Sequence, residues 1–238
     1  MPIKNIPQHV AIIPDGNRRW ARKKGFQPWI GHRAGSSAME NLCEKALELK
    51  IPYLTIWGAS WDNLTKRSKP EVNFLFEVFT DKFKKLAKDK SVHEDKVKIS
   101  VLGPWQKILP NETQQAINRA VDATKDYNNY HLTFLLAYDG RQEMVDCVRK
   151  ISESNKSQDM KIDADLVKQN LWTSDLPPVD FLIRTGSAQD PHNSAGFMMW
   201  HTAHSQLYFT ETFFPDFQGP ELEAAVENYS KRERRMGR

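Results

Sequence analysis

The chain has 238 residues, 39% of them hydrophobic and 27% charged, an ordinary composition for a globular protein with a substantial core. Its formal net charge of +4 suits an anionic ligand. The basic residues form no long stripe, so we predict no nucleic-acid partner. The two cysteines, Cys43 and Cys147, lie far apart in sequence, and no framework of disulfides is expected.

No segment of the sequence predicts a membrane-spanning helix. The longest strongly apolar run, residues 132–138, is far shorter than the roughly 20 residues that a helical span requires. Residues 1–10 contain no apolar signal core. We therefore expect a cytoplasmic protein, and leave open a peripheral association with a membrane.

Five strand-like runs alternate with helix-like runs along the chain. The strands are predicted at residues 10–14, 53–57, 97–103, 131–138 and 179–185. Each run is apolar almost throughout rather than at alternate positions, which is typical of parallel strands covered on both faces.

Amphipathic helices are predicted between these strands. A helix follows the first strand, and residues 70–88, 110–127 and 139–152 show helical periodicity. The apolar face of the 70–88 segment consists of Val72, Leu75, Phe79, Phe83 and Leu86. With no repeat or composition break, the alternation predicts one α/β domain over residues 1–238, a mostly parallel central sheet with helices on both faces. Ligands of such sheets bind beyond the carboxyl ends of the strands.

The segment HVAIIPDGNRRW places a carboxylate, a glycine and two arginines after the first predicted strand. Asp15, Gly16 and Asn17 are predicted to form the turn into a helix, whose amino terminus offers unpaired N–H groups. With Arg18 and Arg19 added, the pattern indicates a phosphate-binding site, and Asp15 is placed to hold a metal ion against the phosphate. The alternative, in which Asp15 only caps the helix and the arginines are solvated, is equally compatible with the composition.

This segment and others along the chain resemble the signature sequences of the cis-prenyltransferases, the undecaprenyl diphosphate synthase family. The matching segments follow the family's order and span essentially the whole chain: HVAIIPDGNRRWARKKG, GHRAG, LTIWGASWDN, KRSKPEVNFLF, DFLIRTG, LYFTETFFPDF and RERRMG. The resemblance implies a condensation in which an allylic diphosphate, such as farnesyl diphosphate, loses its diphosphate while isopentenyl diphosphate attacks the allylic cation. It also implies Mg²⁺ as cofactor, a polyprenyl diphosphate product and a hydrophobic tunnel that takes up the growing chain.

The resemblance assigns roles to individual residues of this chain. Asp15 is the metal-binding and catalytic carboxylate, and Asn63 is a second catalytic residue near the reacting carbons. Arg184 corresponds to an arginine that holds the diphosphate of isopentenyl diphosphate. The Phe-rich face of residues 70–88 would form one tunnel wall, although plain core packing is equally compatible with its spacing. The full set of implied substrate-binding residues is Gly16, Asn17, Arg18, Arg19, Trp20, His32, Ser60, Trp61, Asp62, Arg67, Arg184, Ser194, Arg235 and Gly237.

Three positions depart from the family's pattern. Pro28 stands where the family has an arginine of the allylic diphosphate site. Residues 186–196 form a longer loop without an arginine, in which Ser194 is the nearest serine and Ala195 holds the usual serine position. Gln206 replaces the second metal-binding carboxylate, so we expect it to be a weak metal ligand that contributes no charge.

The tail, residues 229–238, contains Arg235 and Gly237, which match a terminal motif of the family. In the family, this motif reaches into the neighbouring subunit's site. A solvated helix end is the alternative, and the match favours a homodimer over it.

These departures leave three functions open. The first is a Mg²⁺-dependent synthase of polyprenyl diphosphate, the second is a relative with short-chain or irregular coupling, and the third is a non-catalytic subunit that supports a true synthase. The intact DGNRRW motif argues against the third, whereas Gln206 and the arginine-free loop support the second. His192, His201 and His204 lie in the altered region, either as substitute ligands or as simple packing. Gly58 leaves space in the tunnel and favours longer products.

Overall fold

A parallel sheet forms the centre of the protein. The computed structural model describes residues 3–154 and 161–232, and within these ranges the sheet has six strands in the order β3-β4-β2-β1-β5-β6. All neighbouring strands run parallel, which confirms the predicted single-domain α/β fold. The strands are β1 (His9–Ile13), β2 (Tyr53–Ala59), β3 (Val97–Leu102), β4 (Tyr130–Leu136), β5 (Phe181–Arg184) and β6 (Gln206–Phe209).

The five predicted strands are all present, and β6 lies outside the predicted set. This strand has only four residues and pairs with β5 at the edge of the sheet, so it lacks the long apolar run of a central strand. Strand β4 ends at Leu136, earlier than predicted, because Ala137 adopts a positive φ of 53° and turns the chain. Strand β1 is buried at all five positions, as its unbroken apolar sequence predicts.

Helices cover both faces of the sheet. Residues of α2, α4, α6 and α9 share one large core with the sheet, while α7 and α8 pack together on the other side of the fold. Cys43 and Cys147 are free thiols, as predicted. None of the helices in the described ranges combines the length and the apolar character needed to cross a membrane. The helices are α1 (Asn17–Lys23), α2 (Pro28–Glu48), α3 (Trp61–Lys66), α4 (Lys69–Leu86), α5 (Lys90–Glu94), α6 (Asn111–Thr124), α7 (Gly140–Ser154), α8 (Ala164–Gln169) and α9 (Gly219–Ser230).

The predicted apolar face of α4 packs into the larger core. Val72, Leu75 and Phe83 are buried, whereas Phe79 and Leu86 are partly buried. All of these except Val72 also line a cavity between the helix and the sheet. This face of α4 therefore packs in the core and also forms a wall of the cavity. The two interpretations of its spacing, core packing and a wall for a ligand, do not exclude each other.

Candidate functional site

The turn after β1 holds Asp15 at the carboxyl end of the sheet. Gly16 adopts φ = 101°, a left-handed conformation that favours glycine, and α1 begins at the next residue, Asn17. The Asp15 carbonyl oxygen accepts two hydrogen bonds, from Thr185 Oγ1 at 2.7 Å and from the Phe214 amide at 3.0 Å. The predicted turn is present, and residues distant in sequence fix its backbone.

The Asp15 carboxylate lies between two arginines. Arg184, the last residue of β5, donates from Nη2 to Asp15 Oδ2 at 3.0 Å, and Arg19 Nη2 lies 3.1 Å from Oδ1. Arg19 Nη2 also donates to the Gly186 carbonyl at 2.6 Å. Two chain segments, residues 15–19 and 184–186, thus bring one carboxylate and two guanidinium groups together, an arrangement suited to the oxygens of a diphosphate.

The amino terminus of α1 offers hydrogen-bonding groups to the same place. Its first residue follows Gly16, which supplies no side-chain cap, so the first N–H groups of the helix receive no partner from a cap. Asn17 Oδ1 is buried and has no hydrogen-bond partner in the described part of the chain. Buried polar atoms are nearly always paired, so this position is suited to a ligand or a water molecule.

A buried carboxylate that the sequence interpretation did not single out joins three of the predicted ligands. Glu71, in the first turn of α4, is 4% exposed. Its Oε1 accepts hydrogen bonds from His32 Nε2 at 2.8 Å and from Arg67 Nη1 at 3.2 Å, and Arg18 Nε lies 3.7 Å away. Burial lowers the pKa of His32, and the hydrogen bond to Glu71 opposes that shift. The sequence signal for Glu71 was its position four residues after Arg67.

Replacing Glu71 by glutamine is expected to lower the free energy of unfolding by roughly 3 kcal/mol, because the partly buried Arg67 loses its counter-charge and the buried His32 loses a charged acceptor. Urea denaturation followed by circular dichroism measures the change. Glu112→Gln is the matched control, since it removes an exposed ion pair with Lys84 and is expected to leave stability almost unchanged. Similar small effects in both variants would contradict a structural role for Glu71.

The turn from β2 into α3 brings two further predicted residues to the site. Ser60 Oγ accepts from the Asn63 amide at 3.0 Å, and Asn63 Oδ1 accepts from the Ser60 amide at 3.4 Å, a reciprocal cap at the start of the helix. The Asp62 carboxylate pairs with Lys66 Nζ at 2.7 Å. This cap fixes the orientation of both Ser60 and Asn63.

A cavity of about 520 Å³ connects these polar groups with the space between α2, α4 and the sheet. A pocket with a charged part and an apolar part is suited to an amphiphilic ligand. A tunnel that accepts a complete polyprenyl chain remains a prediction. The polar part is lined by predicted site residues, namely Asp15, Asn17, His32, Ser60, Asp62, Asn63, Arg67, Arg184 and Ser194. The apolar part is lined by residues of α2, β2, α4 and β4, among them Leu47, Leu54, Leu75, Phe79, Phe83, Leu86 and Leu132.

Two aromatic residues with predicted substrate roles do not line this cavity. Trp20 Nε1 donates to Asp216 at 2.7 Å, and Lys24 Nζ lies 4.2 Å from the centre of the Trp20 ring. Trp61 is 37% exposed at the start of α3. Arg235 and Gly237 lie outside the described residues, so the role of the tail in the neighbouring subunit's site stays a prediction.

Gln206 lies at the opposite end of the sheet from Asp15. It begins β6 opposite Phe181, the first residue of β5, whereas Arg184 ends β5 beside Asp15. At about 3.3 Å per residue, this separation along the strands is roughly 10 Å. Gln206 Oε1 accepts instead from Arg232 Nη1 at 3.4 Å. A metal ion shared by Asp15 and Gln206 would require the two residues to come from different chains, and this assignment remains a prediction.

The arginine-free loop packs across the end of β5 toward β2. Arg184 Nη1 donates to the His192 carbonyl at 2.7 Å. Phe197, which follows the loop, stacks on Trp57 of β2 with ring centroids 5.1 Å apart. Arg184 Nε and Trp57 Nε1 are buried N–H groups with no partner in the described ranges, and both residues line the cavity together with Ser194.

Asp15 fits Mg²⁺ as a single carboxylate ligand. The described part of the chain contains no group of three or more His, Cys, Asp or Glu side chains arranged to hold a metal ion. Mg²⁺ commonly takes one or two carboxylates and completes its coordination with phosphate oxygens and water. The donor set therefore suits a metal ion that is bound together with a diphosphate.

His201, one of the three histidines of the altered region, is 3% exposed and hydrogen-bonded to Thr173. Its structural role is therefore packing.

Comparison with known proteins finds similarity over nearly the whole chain. A family model described as "Putative undecaprenyl diphosphate synthase" matches residues 13–237. A tritrans,polycis-undecaprenyl-diphosphate synthase (geranylgeranyl-diphosphate specific) of Pyrococcus horikoshii is 42% identical over 236 residues, which cover 98% of this chain and 88% of that protein. The protein of the same name from Methanocaldococcus jannaschii is 36% identical over 239 residues, which cover 98% of this chain and 84% of that protein.

Among solved structures, the lavandulyl diphosphate synthase from Lavandula x intermedia, in complex with dimethylallyl diphosphate, is similar to this chain. The TM-score is 0.88 and the sequence identity is 31%, and the match covers 98% of this chain and 99% of that one. The similarity thus includes the arrangement of the whole sheet and its helices.

Proposed function

Because the chain belongs to the undecaprenyl diphosphate synthase family of cis-prenyltransferases, we propose that it condenses isopentenyl diphosphate onto an allylic diphosphate to make a polyprenyl diphosphate. Membership of this family makes the protein a prenyl-transferring enzyme. The observation that carries the proposal is the cavity, which connects the cluster of Asp15, Arg19 and Arg184 with an apolar space. A prenyl diphosphate has the same two parts, an anionic head and a hydrocarbon chain.

The residues that follow β1 are proposed to act on the leaving diphosphate. As the allylic C–O bond breaks, its electron pair goes to the diphosphate, and Arg18, Arg19 and the first N–H groups of α1 stabilise the added negative charge. The double bond of isopentenyl diphosphate supplies the electron pair of the new C–C bond, and loss of a proton from the neighbouring carbon forms the new double bond. Groups that bind the departing diphosphate more tightly than the intact substrate lower the barrier.

Mg²⁺ is the proposed cofactor, with Asp15 and the diphosphate oxygens as its ligands. When bound there, the ion supplies Lewis-acid stabilisation of the leaving group. Asn63 and Ser60, held by their reciprocal cap, line the cavity where the two reacting carbons are proposed to meet.

Geranylgeranyl diphosphate is the proposed allylic primer, in place of farnesyl diphosphate. The names of the Pyrococcus, Thermococcus and Methanocaldococcus relatives specify this primer and an undecaprenyl product. The word "tritrans" in these names agrees with a geranylgeranyl primer, because that group brings three trans double bonds into the product. A long-chain product is proposed on the same basis.

The proposal is tested by incubating purified protein with labelled isopentenyl diphosphate, Mg²⁺ and either geranylgeranyl or farnesyl diphosphate. Long cis-polyprenyl diphosphates are expected, with the larger kcat/KM for the geranylgeranyl primer. Removal of Mg²⁺ with EDTA is expected to stop turnover, and added Mg²⁺ is expected to restore it. No consumption of isopentenyl diphosphate with either primer would overturn the proposal.

A second candidate is a short-chain or irregular coupling. It is favoured by the absence of arginine from residues 186–196 and by the similarity to lavandulyl diphosphate synthase, whose structure contains dimethylallyl diphosphate. The same protein is incubated with dimethylallyl diphosphate as the sole substrate. A product made of two dimethylallyl units, without isopentenyl diphosphate, would favour this candidate over the first.

A homodimer and a cytoplasmic location also remain proposals. The homodimer is supported by the match of the tail to the family's terminal motif. Size-exclusion chromatography with light scattering is expected to give twice the mass of the chain. A monomer of full activity would contradict the shared site.

A further inference from the structure

The polar part of the cavity extends from the cluster around Asp15 to Trp57 of β2. It contains two buried donors without a partner in the described part of the chain, Arg184 Nε and Trp57 Nε1. Arg184 is 7% exposed and Trp57 is 9% exposed, and both line the cavity. Because buried N–H groups are nearly always paired, two of them in one region indicate a ligand rich in hydrogen-bond acceptors.

The strand register places these two donors at one level of the sheet. Arg184 lies opposite Ile13 of β1, and Trp57 follows Ile56, which lies opposite Ile12. Trp57 and Arg184 therefore flank β1 on the same face, about 10 Å apart at a spacing of roughly 4.8 Å per strand. The segment from His192 to Phe197 spans this interval, since its ends contact Arg184 and Trp57 respectively.

The same segment packs against the first turn of α7. A Cβ at Gly140 would lie only 1.8 Å from the Gly196 carbonyl oxygen, so only glycine permits this approach. A Cβ at Gly196 would lie 3.8 Å from Arg141 Cγ. Arg141 is consequently next to the loop, and it lines the cavity with Ser194 and Arg184.

Among the described basic side chains that line the cavity, Arg141 has the longest ion pair with a carboxylate of the protein. In the described ranges, the lysine and arginine residues that line the cavity are Arg67, Lys82, Lys85, Arg141 and Arg184. All of them except Arg141 have a carboxylate oxygen within 3.2 Å. Arg141 Nη2 lies 3.7 Å from Asp139, and its side chain is 78% exposed. Asp139 also accepts from the Arg141 and Gln142 amides as the cap of α7, so the guanidinium group is available to an anion.

We propose that Arg141 binds the diphosphate of the second, non-allylic substrate, together with Arg184 and the Ser194 hydroxyl. The inference rests on the proposed function, because joining two diphosphate substrates requires a second anion site beside the one at Asp15. A guanidinium group binds phosphate oxygens with two parallel hydrogen bonds. In this chain Arg141 supplies from α7 the positive charge that the loop of residues 186–196 does not carry.

Steady-state kinetics of Arg141→Gln tests the inference. The KM for isopentenyl diphosphate is expected to rise on the order of tenfold to a hundredfold, the effect of losing one charged contact, while the KM for the allylic primer stays within about twofold of the wild-type value. Arg149→Gln is the matched control, because Arg149 is exposed on the same helix and pairs with Asp146 at 2.7 Å. It is expected to match the wild type in both constants.

Arg141→Lys and a direct binding measurement separate a binding role from a folding defect. The lysine variant keeps the charge and is expected to recover part of the affinity for isopentenyl diphosphate, measured by isothermal titration calorimetry. An unchanged KM for isopentenyl diphosphate in Arg141→Gln, or an equal rise in both KM values, would overturn the inference. Absence of turnover in the wild type would instead refute the proposed function, so the two failures are distinct.

Discussion

Asp15→Ala is expected to lower kcat for prenyl transfer by about a thousandfold or more, with secondary structure retained. Loss of one preorganised electrostatic group commonly costs on the order of a hundredfold to a thousandfold, and loss of a metal ligand adds to it. The Asp15 carboxylate has both roles in the proposed mechanism. It fixes Arg184 at 3.0 Å and lies 3.1 Å from Arg19, and it is the carboxylate proposed to hold Mg²⁺.

Two further variants show whether the effect is catalytic. Asp122→Ala removes an exposed carboxylate from α6 and is expected to keep the wild-type rate. Asp15→Asn keeps the shape and one hydrogen-bond acceptor but removes the charge, so its kcat is also expected to fall by at least about a hundredfold. Initial rates with saturating substrates and Mg²⁺ measure all three. A rate near that of the wild type in Asp15→Ala would remove Asp15 from the reaction.

The parts of the site that sequence analysis predicted well are those made by neighbouring residues. The turn of Asp15, Gly16 and Asn17 follows from an apolar strand, a glycine and a helix start within a few positions. The parallel sheet was predictable for the same reason, because strands covered on both faces are apolar at every position. The reciprocal cap of Ser60 and Asn63 is also local, although the sequence analysis did not predict it.

The parts that were not predicted depend on contacts between distant segments. Glu71 is 39 positions from His32, and its spacing of four residues from Arg67 does not by itself distinguish a buried acid from a solvated one. The position of Gln206 follows from strand register, since only the pairing of β6 with β5 shows which end of the sheet it occupies. A motif match identifies the residue type at such a position. It does not show which residues of the same chain surround that position in the fold.

The two unpaired donors that led to the proposed second diphosphate site illustrate the same limit. Trp57 and Arg184 are 127 positions apart in the sequence and become neighbours of β1 only through the order of the strands. Their unpaired N–H groups are visible only once burial and hydrogen bonds are known. The sequence shows that residues 186–196 contain no arginine. Only the fold shows that Arg141 lies beside this loop.

A second large effect is expected on stability, which should fall steeply in mild acid because two histidines are buried. His9 is 0% exposed and His201 is 3% exposed, and burial is the largest cause that lowers the pKa of each to about 4. His9 lies between the Pro177 carbonyl, 2.9 Å from Nδ1, and Thr55 Oγ1, 2.8 Å from Nε2. In the unfolded chain a histidine has a pKa of about 6.5.

The sign of the effect follows from these values. Above pH 6.5 both histidines are neutral in the folded and the unfolded chain, so they add no pH dependence. Between pH 6.5 and about 4 the unfolded chain binds two more protons, so the free energy of unfolding falls as the pH falls, by about 2.7 kcal/mol per unit. The accumulated loss near pH 4 is roughly 7 kcal/mol, comparable to the whole stability of many domains.

Urea denaturation between pH 8 and pH 4.5 measures this slope, and His201→Gln isolates one of the two histidines from the carboxylates that titrate in the same range. Thr173 Oγ1 donates to Glu143 at 2.7 Å and lies 3.0 Å from His201 Nε2, so the neutral His201 ring donates from Nε2, and a glutamine amide can replace that donor. The variant is expected to lose about 1.4 kcal/mol per pH unit of slope. His204→Gln changes an exposed histidine and is expected to keep the wild-type slope. If His201→Gln also kept the wild-type slope, His201 would already be protonated inside the folded protein at pH 6. The claim that His201 is buried as a neutral ring would then be wrong.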